Sequence, residues 1–115
     1  MAGLSDYESR FRPYKLRLVW HGHEPYNPED EVIDVRLITK RYEYTANFVT
    51  IKFLERMFNK NKITGECDYG KYFAMPGMVV VERIDEETAK RTIEDMIENR
   101  EIENYFKKLT YGQLG

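Results

Sequence analysis

His21-Gly22-His23 places two imidazoles one residue apart, with Glu24 beside them. At a strand end that spacing can bring both rings to one divalent ion, with the carboxylate as a third ligand. The chain has no third histidine and a single cysteine, so two unrelated surface histidines explain the pattern more simply. His21 and His23 stand as metal candidates only, and no metal or cofactor is expected. Cys67-Asp68 falls in a loop between Gly65 and Gly70. A thiol there could meet a histidine in space, as nucleophile pairs do, but no local signature supports it, and a reduced structural thiol is the simpler expectation. Acids cluster at Glu29-Asp30-Glu31, Glu86-Glu87 and Glu94-Asp95. General acid–base work needs two carboxyls in a cleft with unlike surroundings, whereas acids in a loop or at a helix start are usually solvated. No catalytic residue is assigned. A small enzyme or metal-binding protein using His21, His23 and Cys67 remains the alternative to a non-catalytic protein.

Binding features are more informative. Gly65, Gly70 and Gly77 are too scattered to cradle a phosphate. Lys52, Arg56, Lys60 and Lys62 make a basic ridge with Phe53 and Phe58 interleaved, which an ordinary amphipathic helix explains better than nucleic-acid contact. The segment from Gly22 to Asp30 reads GHEPYNPED, an acidic loop carrying one aromatic. A tyrosine anchor ringed by acids suits a basic protein partner. Glu24, Tyr26, Glu29, Asp30 and Glu31 are therefore the candidate partner-binding residues, weighed against a plain solvated connection.

Several elements must position these residues. The first dozen residues show no period and read as a mobile arm (1–12). Tyr14, Leu16, Leu18 and Trp20 alternate with polar neighbours over 13–21, a half-buried strand. Alternation returns over 31–38 and 42–50, close enough for an antiparallel hairpin although its turn lacks Asn-Gly or Asp-Gly. Ile51, Leu54, Met57 and Phe58 then fall on one helical face, with Thr50 as N-cap. Met78-Val79-Val80-Val81 predicts a central strand buried on both faces. Asp85 with Glu86 and Glu87 opens a helix whose buried stripe is Ala89, Ile93, Met96 and Ile97, ending near Asn99. Ile102, Tyr105, Phe106 and Leu109 suggest a last helix. The expectation is one α+β domain over 13–110 with a tail at 111–115. It has a mainly antiparallel sheet of about four strands and three helices, in the order β-β-β-α-β-α-α, with the helices mainly on one face.

Composition agrees. The chain has 115 residues, 42% hydrophobic and 33% charged, with aromatic content of 14% that a disordered chain would lack. A net charge of −2 argues against a dedicated nucleic-acid binder on electrostatic grounds. One cysteine excludes an intrachain disulfide, and no run approaches a membrane span or the core of a secretion signal. A cytoplasmic location is the simplest expectation.

The order of elements resembles the immunity protein 8 family of bacterial polymorphic-toxin systems. The acidic, proline-containing loop leads to a strand; Phe48-Val49-Thr50 precedes a short helix with Leu54; Met78–Glu82 forms an apolar strand ending in acid, and two helices close near Lys108-Leu109. Ile51-Lys52-Phe53-Leu54 lacks the proline and tryptophan of the family's helix start, and Tyr111-Gly112 stands where the family has Trp-Glu. The resemblance implies a cytoplasmic protein that binds and blocks a toxin domain, without catalysis or cofactor. The expectation is thus a protein-binding domain, an immunity-like inhibitor of a basic toxin domain. Self-association through an open sheet edge, as a homo-oligomer, is the structural alternative.

Overall fold

The computed structural model describes residues 5–20 and 26–109. Its elements are α1 (Asp6–Phe11), β1 (Lys15–Trp20), β2 (Val32–Ile38), β3 (Glu43–Thr50), α2 (Ile51–Thr64), α3 (Glu66–Gly70), β4 (Met78–Val81), α4 (Glu86–Glu98), α5 (Ile102–Tyr105) and β5 (Lys107–Lys108). The α+β class and the mainly antiparallel sheet agree with the alternation in the sequence. β1, β2 and β3 pair antiparallel in chain order. β4 joins β3 in parallel, and β5 joins it antiparallel. β4 takes Asn47–Thr50 and β5 takes Tyr44 and Thr45, so the two short strands share the edge of β3 that β2 leaves open.

The register builds the core. Leu16, Leu18 and Trp20 lie opposite Leu37, Val35 and Ile33, which in turn lie opposite Tyr44, Ala46 and Phe48. Period-2 alternation sends all nine to one face. Ile33, Val35, Leu37 and Phe48 are buried there, and Ala89, Ile93, Met96 and Ile97 of α4 complete the cluster. Burial of each large side chain contributes about 1.5–3 kcal/mol. Asp85 caps α4 as expected, its Oδ1 accepting the Thr88 N–H at 2.7 Å. Thr50 caps α2, accepting from the Phe53 N–H.

Four expectations are corrected. The supposed arm contains α1, and Phe11 is fully buried in the core. Ser5 caps this helix, Phe11 meets Tyr44 at 5.3 Å between ring centroids, and the Tyr7 hydroxyl accepts the Ile102 N–H at 2.9 Å. β4 is not a central strand. Val79 and Val81 face the core, but Val80 points to the other face and is 50% exposed on a strand that pairs with β3 alone. The buried side of α2 carries Phe53 and Asn61, while Ile51 is 59% exposed. Phe53 turns toward Phe73, 6.0 Å away and edge-on. The last helix stops at Tyr105, because Phe106 turns extended and the chain pairs with β3 instead.

α2 runs to Thr64, and where a loop between Gly65 and Gly70 was expected α3 forms a left-handed turn in which Cys67, Asp68 and Tyr69 have φ of 52, 50 and 55°. Gly70 closes it against α2. A Cβ at that position would sit 2.7 Å from the Phe58 carbonyl oxygen, so only glycine permits the approach. Among the described residues, no helix is long and apolar enough to cross a membrane.

Candidate functional site

The acidic loop and the basic ridge meet, with Lys52 and Arg56 of the ridge pairing with Glu29 and Asp30 of the loop. Thr50 draws the loop onto the start of α2: its Oγ1 accepts the Glu31 N–H at 3.0 Å and its N–H donates to the Glu31 carbonyl at 3.1 Å. This places Asp30 beside Arg56, whose Nε and Nη2 both reach the carboxylate, at 3.1 and 2.9 Å to Oδ1. Lys52 Nζ meets Glu29 at 3.3 Å, and Lys60 meets Glu66 at 3.5 Å. Glu31 is buried rather than displayed. Of the candidate partner-binding residues, Tyr26, Glu29 and Asp30 thus remain accessible. Glu24, His21 and His23 lie outside the described residues.

Tyr26 is the better-defined feature. It is 46% exposed, and its ring meets Trp20, 43% exposed, edge-on at 4.6 Å. The Tyr26 hydroxyl donates to the Ile84 carbonyl, and the Ile84 N–H donates to the Pro28 carbonyl at 2.7 Å. Two half-open aromatics are thereby fixed at the end of the sheet where β1 stops and β2 begins. Partial burial and then the Asp85 carboxylate raise the Tyr26 phenol above its ordinary value, with Arg83 opposing and Glu31 adding to the rise. Trp20 was legible only as the last apolar residue of a strand, since its pairing with Tyr26 needs the loop to return.

A second cluster is structural. Glu94 accepts the Tyr14 hydroxyl at one oxygen and Arg12 Nη1 at the other, the latter at 2.6 Å. Burial would raise Glu94, but these donors hold its carboxyl below the usual range. Burial and the same hydrogen bond push the Tyr14 phenol up. The cluster ties the α1–β1 junction to α4 and keeps Tyr14 protonated and Glu94 ionised at neutral pH.

A feature the sequence reading missed lies at the opposite end of the hairpin. α1, the β2–β3 turn and the α5–β5 segment line a cleft of about 690 Å³. Arg10, Arg12, Lys40, Arg41 and Lys108 contribute cations, Glu103 contributes a carboxylate, and Tyr42, Tyr44 and Phe106 contribute rings. Lys40-Arg41-Tyr42 was the visible signal, but its partners come from both ends of the chain.

Cys67 is partly buried in the left-handed turn. Among the described residues, no three His, Cys, Asp or Glu side chains converge to hold a metal. Compared with known proteins, the chain matches no family model, no curated relative and no solved structure.

Proposed function

We propose that this chain is a non-catalytic protein-binding domain whose partner docks on Trp20 and Tyr26. The single observation that carries the reading is the aromatic pair, half-exposed yet held by mutual packing and by the Tyr26–Ile84 hydrogen bond. Aromatics fixed before binding lose little rotamer entropy on docking, and tryptophan and tyrosine dominate interface hot spots. Asp85 and Glu31 lie near enough to raise the Tyr26 phenol, and Glu29 and Asp30 follow Tyr26 in the same loop. The Lys52–Glu29 and Arg56–Asp30 pairs are solvent-exposed. Such pairs are worth about 0–1 kcal/mol, so a cationic partner can take over the carboxylates at little cost.

The finer form of the proposal is an immunity-like inhibitor acting in the cytoplasm on a basic toxin domain. It is supported by the order of elements and by the charge around Tyr26. Calorimetric titration with the toxin domain encoded beside this gene tests it. Trp20→Ala is expected to weaken binding about 30-fold, the effect of losing one hot-spot residue. Binding unchanged by Trp20→Ala and by Tyr26→Ala would remove the proposed surface.

A further inference from the structure

The cleft at the other end of the hairpin has more positive charge than the described residues supply partners for. Arg10 donates to Glu103 at 2.7 Å, and Arg12 is engaged by Glu94 at 2.6 Å and Glu8 at 3.7 Å. Lys40, Arg41 and Lys108 make no ion pair among the described residues. The segment that presents them is fixed. The Thr39 N–H and hydroxyl both donate to the Tyr42 carbonyl at 2.9 Å, and Thr39 Oγ1 accepts the Tyr42 N–H at 3.1 Å. This locks the turn that carries Lys40 and Arg41 at its tip. β5 is pinned beside it by pairing with Tyr44 and Thr45 and by the Leu109 N–H donating to the Glu43 carbonyl at 2.8 Å. Lys108 Nζ rests 4.2 Å from the centroid of the Tyr42 ring.

We infer that this cleft binds a phosphorylated ligand that carries an aromatic base, of the nucleoside diphosphate class. Two features select that chemistry. A carboxylate supplies one negative charge and a phosphate monoester up to about two, so three unpaired cations call for a polyphosphate rather than an acidic side chain. Lys108 Nζ covers one face of the Tyr42 ring, yet Tyr42 is 44% exposed, so a phosphate drawn to Lys108 brings its base to the open part of that ring. The cleft volume of about 690 Å³ falls within the usual range for small-ligand sites, about 300–1,000 Å³. The site is remote from Trp20 and Tyr26: Trp20 pairs with Ile33 at the start of β2, whereas the Lys40–Arg41 turn follows its end. The inference therefore stands apart from the docking proposal.

The test is titration of the full chain, isotopically labelled for NMR, with ADP, inorganic phosphate, a single-stranded oligothymidylate and a polyglutamate peptide in separate arms. ADP is expected to shift the amides of Lys40, Arg41, Tyr42 and Lys108 and to bind more tightly than the other three probes. Arg41→Glu and Lys108→Glu, both at exposed positions, are expected to weaken ADP by about tenfold or more while circular dichroism stays unchanged. Tyr42→Leu is expected to reduce ADP affinity toward that of inorganic phosphate. Absence of ADP shifts at these amides, or phosphate binding as tightly as ADP, would overturn the inference. Tighter binding of the oligothymidylate would reassign the cleft to a nucleic-acid strand, and tighter binding of the peptide to an acidic protein, each also overturning it.

Discussion

Arg56 grips Asp30 through Nε and Nη2, with contacts of 2.9 to 3.2 Å across 26 residues of sequence. The pair ties the acidic loop to α2 and partly neutralises the Asp30 carboxylate. Arg56→Ala is expected to leave thermal stability within about 1 kcal/mol of the parent, since exposed pairs contribute little. It is also expected to raise the association rate with a cationic partner at low salt. Stopped-flow measurements at two ionic strengths check this; a rate that is unchanged at low salt would mean Asp30 takes no part in steering.

Phe11 decides whether the N-terminal segment belongs to the fold. Its ring is fully buried between Tyr7, 4.9 Å away, and Tyr44. Phe11→Ala is expected to cost about 3–5 kcal/mol in urea unfolding, the range for buried phenylalanine. A loss under about 1 kcal/mol would be the behaviour of an exposed residue.

Val80 and Val81 are neighbours with opposite surroundings, 50% and 7% exposed. Val80→Asp is expected to change stability by no more than about 0.5 kcal/mol, as at other open surface positions. Val81→Asp is expected to destabilise by several kcal/mol, because an unpaired charge would enter the core. Equal effects in denaturant titrations would contradict the edge placement of β4.

Acid stability follows from Glu94 and Asp85. Burial opposes ionisation of Glu94, but the Tyr14 and Arg12 hydrogen bonds outweigh it, and the Thr88 N–H lowers Asp85. A carboxyl depressed in the folded state contributes stability above its unfolded value and loses it as pH falls through the folded value. The melting temperature is therefore expected to be flat with respect to these groups near neutrality and to fall below the ordinary carboxylate range. Combining Asp85→Asn, which preserves a capping oxygen, with Glu94→Gln should flatten that fall. An unaltered acid slope in calorimetric scans of the double variant would show that other groups control it.

The sequence displayed what local periodicity can encode. Alternation at Leu16–Leu18, Val35–Leu37 and Tyr44–Phe48 located β1, β2 and β3, and Asp85-Glu86-Glu87 located α4 with its cap. α1 escaped because six residues are too few to show a helical stripe, and its order comes from Phe11 and Tyr7 docking on distant segments. Met78–Val81 reads alike for a central strand and for an edge strand with one open face, and only the pairing distinguishes them. The acidic loop was legible as charge, but its pairing with Lys52 and Arg56 requires the fold. The basic cleft was least legible, since Arg10, Lys40, Arg41 and Lys108 gather from three separated segments.

Docking through Trp20 and Tyr26 is tested by the survival of cells carrying the toxin domain encoded beside this gene. The parent chain and the Lys40→Glu–Arg41→Glu variant are expected to protect, while Trp20→Ala–Tyr26→Ala, folded by circular dichroism, is expected to fail. No protection by the parent, or full protection by the aromatic double variant, would contradict docking through Trp20 and Tyr26.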